Sequence, residues 1–119
     1  MFDIIIPVYN TKLEYLKECL ESVLKQTNPN WKCYIVNGTP NDKERYYDIH
    51  VYLQEMALRD GRFDYFLNEG EDTGVSAQRN IAITRGENPY IVLLDSDDWL
   101  EIDWLNTLSR NVSDKYSIY

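Results

Sequence analysis

The stretch YIVLLDSDD at residues 90–98 decides the fold, because an uninterrupted apolar run is followed at once by carboxylates. Five apolar residues without a polar break predict a strand buried on both faces, as in a parallel sheet, and we expect it at the centre of that sheet. Aspartates at positions 95, 97 and 98 then follow its carboxyl end. In open α/β sheets, ligands bind beyond these strand ends, so the stretch also predicts a ligand site.

Strands and helices alternate along the rest of the chain. The patterns predict strands at residues 2–8, 31–36, 63–67 and 90–94, and helices at residues 12–27, 42–59, 73–85 and 102–112. This alternation predicts one α/β domain over residues 1–119, a Rossmann-like, mostly parallel sheet flanked by helices. Gly86 follows the third helix, where a left-handed C-cap is expected.

Composition limits the function classes. The formal net charge is −8 and no basic stripe exists, so a nucleic-acid partner is not expected. No apolar run is long enough to cross a bilayer, and no secretory leader is expected. The expected location is the cytoplasm, with the inner face of the membrane as an option. Cys19 and Cys33 are expected to be buried free thiols.

The aspartates after the fourth strand carry the chemical argument. One aspartate is a common turn or N-cap residue, and Asp98 fits that interpretation. Asp95, Asp97 and Asp98 together repel one another unless a cation neutralises them. Oxygen ligands favour Mg²⁺ or Mn²⁺, with substrate phosphates completing the shell. The chain has no phosphate-binding glycine loop, so a bound metal is expected to neutralise a diphosphate.

Four segments resemble the family 2 glycosyltransferases in order and spacing. They are IIIPVYN at residues 4–10, LESVLKQT at 20–27, GVSAQRN at 74–80 and LDSDD at 94–98. The resemblance implies a GT-A-type nucleotide-diphospho-sugar transferase fold. It also implies inverting transfer of a sugar from a nucleotide-diphosphate donor, a UDP-sugar, to a glycan or lipid-linked acceptor.

The resemblance also implies roles for individual residues. The Tyr9 ring would pack against the nucleobase, and the Pro7 backbone would lie near that base. Asp95 would contact the ribose or the donor sugar, with Ser96 also on the substrate side. Asp97 would bind the Mn²⁺ or Mg²⁺ that bridges the diphosphate.

Two positions leave alternatives open. Arg79 would lie along the donor pocket, or it forms a structural ion pair. Family members carry an acidic pair after the second strand, where this chain has Asn37 and Gly38. The Asn37 oxygen can still accept the uracil N3 proton, so uracil stays the expected base. Asp42 either compensates for the missing acid or caps the second helix.

Family enzymes continue well beyond the aspartate segment, and their later part supplies the acceptor surface and the general base. The resemblance therefore implies that this chain is the donor-binding part, with its base elsewhere. A signalling receiver domain is disfavoured, because that fold needs acids after its first strand, which here ends in Tyr9 and Asn10. A catalytically inactive nucleotide- or phosphate-binding interaction domain remains an alternative. If residues 90–94 form a sheet edge, a two-fold homodimer is expected.

Overall fold

The first apolar run forms the central strand of a parallel sheet in a computed structural model that describes residues 1–111 and 117–118. The strands are β1 (Phe2–Val8), β2 (Trp31–Asn37), β3 (Phe63–Leu67), β4 (Tyr90–Leu93) and β5 (Ser117–Ile118). Their order is β3-β2-β1-β4-β5, and every neighbouring pair is parallel. The chain first builds the sheet to one side of β1 and then returns to its other side. The strand order therefore reverses between β1 and β4, which is where such sheets bind ligands.

Four helices within residues 1–111 cover the two faces of this sheet. They are α1 (Leu13–Leu24), α2 (Tyr46–Arg59), α3 (Val75–Arg85) and α4 (Trp104–Asn111). The larger core cluster holds the apolar residues of α1, α2 and α4, whereas Ala82 of α3 belongs to a second cluster. Alternate residues of β1 divide between them, since Ile4 lies in the first cluster and Ile5 in the second. The predicted α/β class with a parallel sheet is confirmed.

The predicted centre of the sheet is wrong. β1 is central and buried at all seven positions, whereas β4 is flanked by β1 and β5 and exposes Leu93. Asp3 inside β1 weakened the apolar signal of that strand, but its buried carboxylate is satisfied by two hydrogen bonds from Asn88. Because β5 pairs with Tyr90 and Ile91, β4 is not the sheet edge there, and the edge argument for a homodimer loses its basis.

Gly86 does not form the expected left-handed cap. Its φ is −75° and its ψ is 156°, and none of the glycines, all of which lie in the described residues 1–111, has a positive φ. A Cβ at this position would overlap the Asp3 carboxylate, so the residue is small because of a close approach.

The helix bounds differ from the predicted ones mainly at their starts. α2 begins at Tyr46 after Arg45, so Asp42 does not cap it. The predicted end of the last helix at Val112 lies outside the described residues. No helix in residues 1–111 or at 117–118 is both long enough and apolar enough to cross a membrane.

Candidate functional site

A cleft of about 500 Å³ opens at the carboxyl edge of the sheet, above β1 and β4. Five of the seven predicted site residues line this first cleft: Pro7, Tyr9, Asp95, Ser96 and Asp97. The other lining residues come from the start of α1 and of α3, and are Asn10, Thr11, Lys12, Tyr15 and Val75. Asn10 closes the IIIPVYN segment and Val75 belongs to the GVSAQRN segment, but nothing in the sequence pattern singled out Thr11, Lys12 and Tyr15.

The loop after β4 alternates between outward and inward side chains. Asp95 and Asp97 are exposed, whereas Ser96 is buried and its hydroxyl lies 2.6 Å from that of Thr11. The Asp98 N–H donates to the Asp95 carbonyl at 3.0 Å, which closes a turn. The Asp98 carboxylate accepts the N–H of Trp99, so it is engaged with the backbone that follows. The turn therefore places Asp95 and Asp97 in the lining of the first cleft and leaves Asp98 as a turn residue.

Arg79 forms an ion pair with Asp95. The distance from Arg79 Nη2 to Asp95 Oδ1 is 2.8 Å, and the side chains are 34% and 58% exposed. Arg79 is not among the residues that line the first cleft, but its partner Asp95 is, so its predicted place along the donor pocket stays a prediction. Its Nε is buried without a hydrogen-bond partner in the described part of the chain. Because Arg79 compensates the charge of Asp95, Asp97 is the cleft carboxylate without an ion pair among the described residues.

Cys19 anchors the same loop from α1. Its Sγ donates to the Asp95 carbonyl at 3.6 Å. Burial, together with the nearby carboxylates of Asp98, Asp97 and Asp95, raises the pKa of the Cys19 thiol to about 12. The thiol therefore stays protonated at neutral pH and remains a donor. Both cysteines are buried and free, as predicted.

Tyr9 is presented by a turn at Asn10. Asn10 has a φ of 50°, a left-handed conformation that asparagine tolerates better than most residues. Its N–H donates to Thr39 Oγ1 at 2.7 Å and its carbonyl accepts from Arg45 at 3.1 Å, which fixes the turn. The Tyr9 side chain is 46% exposed and is free to pack against a planar ligand.

Asn37 lies at the carboxyl end of β2 but does not line the first cleft. It is fully buried, its Oδ1 accepts the Thr39 N–H at 3.0 Å, and its Nδ2 donates to Tyr65 Oη at 3.1 Å. The Tyr65 hydroxyl also lies 2.8 Å from His50 Nδ1. Both ends of the Asn37 amide are therefore hydrogen-bonded inside the fold. The predicted contact of Asn37 with the base stays a prediction.

A second cleft of about 340 Å³ lies beside the first, beyond the ends of β2 and β3. The lining residues are Gly38, Thr39, Pro40, Asn41, Tyr46, Leu67, Asn68, Glu69, Gly70, Glu71 and Thr73. Among the described residues, this lining includes two glutamates and no lysine, arginine or histidine, so it offers hydrogen-bond acceptors and no cation.

The residues present fit a metal that is shared with a phosphate ligand. Among the described residues, no group of three or more histidine, cysteine, aspartate or glutamate side chains could hold an ion. Asp97 still offers a carboxylate ligand in an exposed cleft. Mg²⁺ and related ions take one or two protein carboxylates and fill the shell with water and phosphate oxygens.

Comparison with known proteins agrees with this architecture. The family model described as "Glycosyl transferase family 2" matches residues 3–119. Glycosyltransferase GlyA of Streptococcus pneumoniae is 34% identical over 109 residues, which is 92% of this chain and 14% of GlyA. Glycosyltransferase GlyG of the same organism is 28% identical over 115 residues, covering 97% of this chain and 36% of GlyG. The chain thus spans well under half of the length of these relatives.

A solved structure shares the fold. S. aureus TarS 1-349 in complex with UDP-GlcNAc superposes with a TM-score of 0.75 at 23% sequence identity. The match covers 92% of this chain and 30% of the TarS chain. The GT-A-type fold implied by the sequence resemblance is thereby confirmed.

Proposed function

The chain belongs to glycosyl transferase family 2, and on that premise we propose that it is the donor-binding part of a metal-dependent, inverting glycosyltransferase that uses a UDP-sugar. The observation that carries the proposal is the pairing in the first cleft. Asp95 is charge-compensated by Arg79, while the neighbouring Asp97 has no ion pair within the described part of the chain.

The charge balance of the first cleft supports a cation. A diphosphate is an anion, and the cleft that would receive it carries two aspartates and one lysine, Lys12. The chain as a whole has a formal charge of −8, so its overall field also opposes an anion. A bound Mn²⁺ or Mg²⁺ would neutralise phosphate charge and stabilise the leaving diphosphate. Asp97 would hold this ion, and Asp95 would orient the ribose or sugar through its remaining oxygen.

The nucleoside end of the donor fits the other side of the same cleft. Tyr9 offers an exposed ring beside Pro7. The structural neighbour TarS was solved with UDP-GlcNAc, which supports a uridine donor for this fold.

Inverting transfer also needs a general base within reach of the acceptor hydroxyl. The carboxylates that line the first cleft are Asp95 and Asp97, and both are assigned to the donor. We therefore expect the base and most of the acceptor surface to lie outside the residues described.

Calorimetric titration of UDP-GlcNAc with and without Mn²⁺ tests this proposal. Wild type should bind only when Mn²⁺ is present, and Asp97→Ala should lose nearly all of that binding. Asp98→Ala is the matched control, because its carboxylate is engaged with the Trp99 N–H and does not line the cleft. Equal binding by wild type and Asp97→Ala would show that the metal assignment is wrong.

A further inference from the structure

The loop that carries Asp97 has little backbone structure of its own. It runs from the end of β4 at Leu93 to the start of α4 at Trp104. Within residues 94–103, all of which the structure describes, one backbone hydrogen bond forms, the one that closes the turn between Asp95 and Asp98. The position of the Asp97 carboxylate therefore depends on contacts that this loop makes with the rest of the fold.

The hydroxyl of Ser22 anchors the loop just after the aspartates. Ser22 Oγ donates to the Cys19 carbonyl of its own helix at 2.6 Å, and it accepts the Leu100 N–H at 3.0 Å. The first bond orients the hydroxyl, which leaves its lone pair facing the loop. A side chain of α1 thus holds a backbone group that lies three residues beyond Asp97.

The amide of Gln26 provides a second anchor one turn further along α1. Gln26 is buried, its Nε2 donates to the Glu101 carbonyl at 2.5 Å, and its Oε1 accepts the Leu105 N–H at 3.0 Å. The Leu105 N–H belongs to the first turn of α4, where backbone donors lack partners within their own helix. Gln26 therefore joins the end of the loop to α1 and caps α4 at the same time.

The start of the loop is anchored at the other end of the same helix. Thr11, two residues before α1 begins, places its hydroxyl 2.6 Å from that of Ser96. Asp97 consequently lies between an anchored residue at Ser96 and another at Leu100, and one helix determines the spacing of both anchors. Such a framework holds a carboxylate in place before the ligand arrives.

Resting on the proposed function, we propose that Ser22 and Gln26 are positioning residues that fix the Asp97 carboxylate for the cation. Neither is among the described residues that line the first cleft, so both act through the loop. Without these anchors the loop must be ordered when the metal binds, and that ordering weakens metal binding. The contacts on the nucleoside side of the cleft do not depend on them.

Mn²⁺ titrations at a fixed UDP concentration, followed by equilibrium dialysis of the nucleotide, test this role. Ser22→Ala removes the acceptor of the Leu100 N–H, so the Mn²⁺ concentration at half-maximal UDP binding should rise about fivefold, the factor that corresponds to one hydrogen bond. Gln26→Met removes both bonds of the amide and should raise this midpoint at least as much. Ser22→Thr keeps the hydroxyl and should restore the wild-type midpoint.

Asn88→Ala is the matched control for lost stability. It removes the bond of 2.7 Å from Asn88 Nδ2 to the buried Asp3 carboxylate, before the start of β4 and away from the residues that line the first cleft. Its melting temperature should fall while its Mn²⁺ midpoint stays at the wild-type value.

The outcomes separate the inference from the proposed function. Wild-type midpoints in both Ser22→Ala and Gln26→Met overturn the inference, even if their melting temperatures fall, and leave the proposed function standing. A shift in Asn88→Ala as large as theirs also overturns it, because lost stability then explains all three. Absence of Mn²⁺-dependent UDP binding by wild type contradicts the proposed function and the inference together.

Discussion

Replacing Gly86 by alanine should destabilise the fold, although alanine accepts the backbone conformation of this residue. The φ of −75° and ψ of 156° are ordinary extended values, so backbone strain plays no part. The added Cβ would overlap the Asp3 carboxylate and would lie 3.4 Å from the Ile83 carbonyl. The methyl group therefore displaces either the carboxylate or the end of α3.

The size of the expected loss in unfolding free energy follows from the hydrogen bonds that the Asp3 carboxylate accepts. Asp3 is 1% exposed and accepts two hydrogen bonds from Asn88, one from the backbone N–H at 2.9 Å and one from Nδ2 at 2.7 Å. A hydrogen bond to a charged group contributes about 1.5–3 kcal/mol. Alanine regains only about 0.4–1 kcal/mol by restricting the unfolded chain. Weakening both bonds should therefore lower the free energy of unfolding by about 2–4 kcal/mol.

Urea unfolding of three variants checks this reasoning. Gly61→Ala is the matched control, because a Cβ there meets no atom within 4 Å. Its stability should be unchanged or about 0.4–1 kcal/mol higher. Gly86→Asn should be at least as damaging as Gly86→Ala, since the larger side chain meets the same carboxylate. If asparagine is tolerated and alanine is not, Gly86 acts as a left-handed cap and the close-approach explanation is wrong.

Three further predictions concern the site. Tyr9→Phe should bind UDP nearly as well as wild type, whereas Tyr9→Ala should lose about 1–3 kcal/mol of binding free energy, the value of a stacked base. Equal losses in the two variants, measured by titration, would mean that the Tyr9 hydroxyl makes the contact. Arg79→Met should lower the free energy of unfolding by no more than about 1 kcal/mol, because the ion pair of Arg79 with Asp95 is partly exposed. A larger loss of unfolding free energy, measured by urea unfolding, would show a structural role for Arg79. The free energy of unfolding should fall as pH rises from about 9 to about 12, because the unfolded chain releases the Cys19 proton near its ordinary pKa of 9.0 while the folded chain retains it up to about 12. Cys19→Ala should reduce that fall, and an identical pH dependence in the variant would contradict the raised pKa.

The residue patterns predicted the eight main helices and strands, because each presents a continuous apolar run or an apolar helical face to the sheet. They did not predict β5, since two residues, Ser117 and Ile118, give no periodic signal. They also misplaced the centre of the sheet. An apolar run reports burial and not position, and the polar residue in the central strand is satisfied by Asn88, 85 positions away.

The site residues that directly follow a strand could be predicted from the sequence. The aspartate loop and Tyr9 follow strand ends directly, and parallel topology brings such ends to one edge. The partners within the site were not predictable. Arg79 is 16 residues from Asp95 and Thr11 is 85 residues from Ser96, and neither separation has a periodicity that the sequence shows. The hydrogen bonds from Ser22 and Gln26 to residues 100–105 span 75 to 79 positions and likewise appear only in the fold.

Paramagnetic broadening of the amide NMR signals by Mn²⁺ in the presence of UDP tests the central claim most directly, since it locates the shared metal site. We predict that UDP and Mn²⁺ together broaden the amides of residues 95–97 and of Tyr9 and Asn10, and that Phe2 and Trp31 at the opposite ends of their strands stay sharp. Mn²⁺ without UDP should have little effect, because the described residues form no metal site of three or more ligands. Strongest broadening at the glutamates of α1, or equal broadening with and without UDP, would contradict a donor site built on Asp97.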